Sequence, residues 1–263
     1  MVQADPNRAT LPSSLELPCS DDTPVDNENQ NFIPNLLLFL LEFVWGDRLD
    51  WYFDVDMGIY HTTGENPRIP VIPDGFLSIG VERRKQSLQG RGRLSYVLWE
   101  ENYIPPMLTL EVVSQTYGNE YDDKMEIYAK LGVLYYVIYN PDYWRRDQHQ
   151  PLEVYQLVDG MYQLQTGEPV WMPEIGLGIG RFQHVADAVE REALTWYDRT
   201  GSRYLSWAEI ERQRAEQERQ RAEQERSARL KAVSSLLKMG LGAEQVAEML
   251  SLTIEEVQSR QNQ

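Results

Sequence analysis

The sequence predicts an α/β or α+β domain that ends near residue 200 and is followed by a charged helical tail. Helix-length apolar text, LLLFLLEFVW at 36–45, gives way to aromatic and β-branched segments of strand length. The run VLYYVIYN at 133–140 is short and almost wholly apolar, which suits a strand covered on both faces. Finally, ERQRAEQ at 211–217 repeats at 218–224, a heptad whose only apolar members are Ala215 and Ala222.

Residues 1–31 are polar and acidic, lack the basic flank and apolar run of a signal peptide, and predict a poorly ordered leader. Pro34 suits a first helical turn, so a helix is expected from there to the Gly46 stop, apolar on nearly every face and therefore buried. Strands are expected within Trp51–Tyr60, Val71–Val81 and Met107–Val113, with a polar stretch from Glu82 to Arg93 between the last two. A helix should run from about Glu120 to Leu131 and end at Gly132 in the left-handed cap position. After the 133–140 strand, LEVYQLVDGMYQLQ (152–165) reads as a hairpin turning at Asp159-Gly160.

The folded domain is thus expected over 32–200. A charged heptad helix follows over 201–230, with Arg212–Glu216, Arg214–Glu218 and Arg219–Glu223 among the pairs set four apart. Its weak apolar seam favours a solvated spacer over a coiled coil. Residues 231–263 should be a small helical element with a helix-turn-helix flavour, since Ala247, Ser251 and Val257 fall at its small, turn and apolar positions. Glu255 and Glu256 suit a major groove poorly, so packing or dimerisation is the expected role.

Composition narrows the function classes. The 263 residues include 41 acidic and 25 basic side chains, for a net charge of −16. Residues 1–206 hold 31 of the acids and 16 of the bases, so the body should repel nucleic acid unless a local basic patch exists. The lone Cys19 makes no intrachain disulfide or zinc cluster, and His61, His149 and His184 share no ligand spacing. No run approaches the ~18 apolar residues of a membrane span. Cytoplasmic residence without membrane contact is expected.

Three acids interrupt apolar text: Glu42 in the first helix, Glu111 within MLTLEVV, and Asp74 in Pro-Asp-Gly at the head of a strand. Buried carboxylates need a partner, a proton or a metal. Taken singly, Asp74 also fits ordinary turn chemistry and Glu42 a structural role. Together, acids on neighbouring strands can converge on one divalent cation, and oxygen ligands suit Mg²⁺ or Mn²⁺. Glu120, Lys124 and Tyr128 share one helix face, where Lys124 could position a water or form a surface ion pair with Glu120.

The string PPMLTLEVVSQTYGNEYDDKMEIYAKLGVLYYVIYNP (105–141), with Pro73-Asp74 upstream, resembles the Uma-type bacterial restriction-endonuclease family of the PD-(D/E)XK nuclease superfamily. The likeness covers roughly 30–190. It implies a restriction-endonuclease-like αβββαβ core and a metal-dependent phosphodiesterase site. By that resemblance Asp74 and Glu111 are the metal-binding acids, the backbone carbonyl of Val112 is a further ligand, and Glu42 matches a first-helix glutamate. The superfamily's usual lysine position is here Val113, so the resemblance assigns that role to Lys124 on the next helix.

The expected function is Mg²⁺- or Mn²⁺-dependent endonuclease action on nucleic acid, DNA in the first instance, by a homodimer. Substrate contacts are expected from Arg83, Arg84, Lys85, Arg91 and Arg93 in ERRKQSLQGRGR (82–93), and from Arg145 and Arg146 beside Tyr143-Trp144. A rival of another class is a nuclease-fold binding or regulatory module without chemistry. A two-carboxylate glycoside hydrolase is a third reading, but it leaves Lys124 unused.

Overall fold

The computed structural model describes residues 11–19, 27–85, 92–116, 118–186 and 189–261. Helix α1 (Glu28–Val44) starts earlier than expected because Asn27 caps it, its side chain accepting from the N–H groups of Asn29 and Gln30 at 2.8 and 3.2 Å. Pro34 therefore lies inside the helix, on its buried face. That face carries Ile33, Leu37, Leu40 and Leu41, whereas Phe39, Glu42 and Phe43 are exposed. The helix is amphipathic by burial and not enclosed, contrary to its composition.

Strand β1 (Trp51–Val55) ends at Asp56, whose φ of 53° breaks the expected single strand before β2 (Ile59–Tyr60). Next come β3 (Gly75–Ile79), β4 (Tyr96–Val97) and β5 (Leu108–Val112). Helix α2 (Asp123–Leu131) ends on Gly132 at φ 83°, the left-handed cap the sequence predicts. It leads into β6 (Tyr135–Tyr139), the four-residue helix α3 (Trp144–Asp147), and the hairpin β7 (Leu152–Val158) and β8 (Met161–Leu164). Asp159 and Gly160 both have positive φ, as a two-residue primed turn requires. Strands β9 (Val170–Met172), β10 (Leu177–Ala186) and β11 (Val189–Tyr197) form a separate antiparallel sheet that the sequence reading did not foresee.

The main sheet runs β1-β3-β5-β6-β7-β8. Only β5 and β6 are parallel, joined by the crossover through α2. On one face Trp51, Phe53, Leu77, Leu110 and Val137 pack with α1 and with Met172, Ile179 and Trp196 of the second sheet. On the other, Phe76, Tyr136 and Ile138 pack with Tyr128 and Leu131 of α2. Because strand side chains alternate, Leu110 and Val112 enter the α1 side, while Glu111 between them faces α2. That alternation is what delivers Glu111 to Lys124.

Residues 11–19 are docked rather than loose. Leu17 packs with Tyr60, Val97 and Trp99, and the Tyr60 hydroxyl and Trp99 indole donate to the carbonyls of Pro18 and Pro12 at 2.7 and 2.8 Å.

The described ends of the basic stretch after β3 are tied down as well. Arg93 and Lys85 both reach Glu101 at 2.9 Å, Arg93 lies 4.2 Å over the Tyr52 ring, and Arg93 and Glu101 are nearly inaccessible. Breaking a buried pair strands one charge, so Glu101→Ala should cost about 3–5 kcal/mol in urea unfolding. A loss below about 1 kcal/mol would mean that the stretch is merely solvated.

The chain divides into two compact units, Met1–Tyr204 and Leu205–Gln263. The second contains α4 (Trp207–Lys238), α5 (Ala243–Leu250) and α6 (Ile254–Gln261). Ser206 and Glu209 form a capping box at the start of α4. Arg214 and Arg219 pair with Glu211 and Glu216 three residues back, not with the acids four residues on. Val233, Val246, Ala247 and Val257 make a small core, with Ser251 left-handed at the α5 cap. Helix α4 is thus continuous through residue 230, and its C-terminal end around Val233 packs with α5 and α6 while the heptad portion stays exposed. Among the described residues, no helix is long and apolar enough to cross a membrane.

Candidate active site

Asp74 sits immediately before β3, whose first residue, Gly75, pairs with Leu110 of β5. Extending that register places Asp74 opposite Glu111, on the same face of the sheet. The glycine is needed for close approach: a Cβ on Gly75 would lie 3.1 Å from Cβ of Pro34 and 3.3 Å from the Phe53 ring. Helix α1 can therefore press on the strand start and fix the neighbouring aspartate.

Beyond the Gly75–Leu110 pair, the N–H of Val112 has run past the start of β3. The Asp74 carboxylate takes the place of a strand partner, with Oδ2 accepting from Val112 N–H at 2.5 Å. Oδ1 accepts from the Gln30 amide at 3.4 Å. The predicted contribution of Val112 is its carbonyl; the contact observed is through its N–H.

Glu111 is 1% exposed, and both of its oxygens are engaged. Lys124 Nζ donates to Oε2 at 2.7 Å and the Tyr128 hydroxyl to Oε1 at 2.6 Å. Lys124 thus pairs with Glu111 and not with Glu120, whose carboxylate instead accepts from the Gly118 N–H.

Burial pushes the Asp74 carboxyl well above the usual carboxylate range, the Glu111 charge adds to the rise, and the Val112 N–H offsets part of it. Glu111 is raised by burial too, against the stabilising pull of Lys124 and Tyr128. For Lys124, burial disfavours the ammonium, but the charge and hydrogen bond of Glu111, helped by Asp74 and Glu120, leave its pKa raised. Lys124 is therefore a cation at neutral pH and not a base.

Glu42 does not join this group. Its side chain is 52% exposed and pairs with Arg83 at 2.9 Å. The reason is helical geometry: at about 1.5 Å per residue, Glu42 lies about 18 Å along α1 from Gln30, the α1 residue that touches Asp74. Gln30 and Tyr128 are the neighbours that the sequence reading assigned no role. Tyr128 was detectable in its four-residue spacing from Lys124, whereas Gln30 fell in the expected leader.

Of the predicted cationic contacts, Arg83 pairs with Glu42 and lies 3.8 Å over the Trp51 ring, and Lys85 and Arg93 are held by Glu101. In the free chain these three side chains are engaged by protein partners rather than standing clear in a phosphate-facing stretch. Arg84 is exposed, and Arg91 lies outside the described residues. Arg145 and Arg146 are exposed on α3, which follows β6 at the sheet end where Glu111 sits. Arg146 Nη1 donates to the Gln115 carbonyl just beyond β5 at 2.9 Å, and Arg145 lies 4.4 Å over the Trp144 ring.

The donor chemistry fits a hard divalent cation. Ionised together, Asp74 and Glu111 would be opposed like charges in a dry place, which a cation would relieve, and both offer carboxylate oxygens. Among the described residues no cluster of three or more His, Cys, Asp or Glu side chains is arranged to hold a metal. Two acids with the remaining positions left to water suit Mg²⁺ and Mn²⁺ better than Zn²⁺.

No curated protein and no solved structure gives a significant match to the chain. The family model "Uma2: Putative restriction endonuclease" matches residues 22–186, more than half of the sequence and the whole of the Asp74–Glu111–Lys124 group. The chain belongs to the Uma2 family.

Proposed function

We propose that this chain is a metal-dependent endonuclease that hydrolyses phosphodiester bonds of DNA. One observation carries the reading: two buried carboxylates, one just before β3 and one on the adjacent β5, stand opposite each other, with a lysine ammonium 2.7 Å from one of them. The order α1, β1, β3, β5, α2, β6 supports an αβββαβ core around them.

In this reading Asp74 and Glu111 hold the cation, Mg²⁺ or Mn²⁺. When bound, the metal lowers the pKa of its water and neutralises phosphoryl oxygens. Lys124 contributes fixed positive charge to the phosphoryl transition state, and its raised pKa keeps that charge in place. Tyr128, with its pKa pushed well up by burial and by Glu111, stays a hydrogen-bond donor. Among the described residues of the two basic stretches, Arg84, Arg145 and Arg146 are exposed and would hold phosphates, Arg146 while paired with Asp147 at 2.6 Å, and Trp144 offers a stacking face. Cytoplasmic residence and a homodimer belong to the same reading; the single cysteine supports the first.

The alternative, a binding module without chemistry, is favoured by the complete satisfaction of Glu111 by Lys124 and Tyr128. Plasmid nicking with Mg²⁺ and Mn²⁺ separates the two. The wild type should cleave, and Lys124→Ala should be slower by about 100- to 1,000-fold, the usual cost of one lost charge-stabilising donor. A wild type that neither nicks nor binds Mn²⁺ would transfer the assignment to the binding module.

A further inference from the structure

Glu111 is held from two sides by α2, and the two anchors differ in kind. Lys124 reaches Oε2 on a flexible four-carbon stem and keeps 26% of its side chain exposed. Tyr128, one helical turn later, is completely buried, with its ring 5.1 Å from that of Tyr136 and its hydroxyl 2.6 Å from Oε1. A packed ring carrying a charge-assisted hydrogen bond restrains a carboxylate rotamer more tightly than an ammonium on a flexible stem does. Both groups are also shielded from bulk water, Glu111 at 1% exposure and Tyr128 at 0%. Donors that orient a metal-binding carboxylate typically control metal affinity by about 10- to 100-fold.

Building on the metal-nuclease reading, we infer that Tyr128 is a positioning residue: it sets the Glu111 carboxylate for the cation shared with Asp74, without touching substrate itself. Tyr136 provides a matched control. It is equally buried and adjacent, but its hydroxyl donates to the backbone carbonyl of Glu120 at 2.6 Å. Removing that hydroxyl perturbs the same core without releasing Glu111.

The experiment uses the full chain and two readouts, Mn²⁺ binding by electron paramagnetic resonance and the Mn²⁺ dependence of plasmid nicking. Tyr128→Phe should raise the half-saturating Mn²⁺ concentration by about 10- to 100-fold. Its maximal rate at saturating Mn²⁺ should change far less, because the carboxylate is still present. Tyr136→Phe should keep the wild-type half-saturation point. Unchanged Mn²⁺ affinity in Tyr128→Phe overturns the proposal while the wild type still binds Mn²⁺. An equal shift in Tyr136→Phe also overturns it, since the effect would then belong to the core as a whole. A wild type that takes up no Mn²⁺ overturns the metal reading itself, and this inference falls with it.

Discussion

Glu111→Gln is expected to lose at least about 1,000-fold in phosphodiester cleavage, a barrier increase of about 4 kcal/mol. Glutamine keeps the length and shape of the side chain but removes the negative charge that would hold a cation and pair with Lys124. It also presents an NH₂ group where the site offers two donors, Lys124 and Tyr128. One donor must then go unmatched or turn away, at a cost of about 1–3 kcal/mol. The variant should therefore melt somewhat earlier yet stay folded. Alanine would strand both donors at once and open a cavity, so lost activity there could reflect a damaged fold. The measurement is nicking at saturating Mn²⁺, with circular dichroism and a thermal melt on the same preparation. Cleavage within tenfold of the wild type, by a folded variant, would remove Glu111 from the chemistry.

What the sequence made legible was local or strictly periodic. The alternation in LEVV sends Glu111 to the side opposite Leu110 and Val112 whatever the tertiary context. Gly132 and Asp159-Gly160 are read from backbone conformations that few other residues adopt cheaply. The features that the sequence left open share a different origin: each depends on which surface a side chain meets. Glu42 interrupts apolar text, but the helix face it occupies meets solvent and Arg83. Five basic residues in 82–93 suggest a phosphate grip, yet Glu101, far enough along the chain to escape notice, holds two of them. The second sheet was missed because β10 contains Gly178 and Gly180, which weaken any strand pattern. At Gly180 the reason is close packing: a Cβ there would lie 3.0 Å from the Tyr197 ring and 3.1 Å from Pro169.

Asp74→Asn is expected to abolish cleavage and, at the same time, to stabilise the metal-free protein at neutral and alkaline pH. The folded protein holds the Asp74 carboxyl well above its ordinary pKa, through burial first and the Glu111 charge second. Between the ordinary aspartate value of about 4 and that raised value, the folded state binds more protons than the unfolded state. Stability must therefore fall as pH rises through this window, because ionising Asp74 costs more in the fold than outside it. Asparagine has nothing to ionise, and its carbonyl oxygen can still accept the Val112 N–H that Asp74 accepts at 2.5 Å. At pH 8 the variant should thus exceed the wild type by about 0.5–2 kcal/mol, the size of a typical single stabilising substitution. Near pH 4 the difference should vanish. Added Mn²⁺ should raise the melting temperature of the wild type and leave that of Asp74→Asn where it was. Urea unfolding at pH 4, 6 and 8, with and without Mn²⁺, measures all of these terms on one pair of proteins. If Asp74→Asn is the weaker protein at pH 8, the bond to Val112 outweighs the charge, and Asp74 is there to close the strand end rather than to hold a cation.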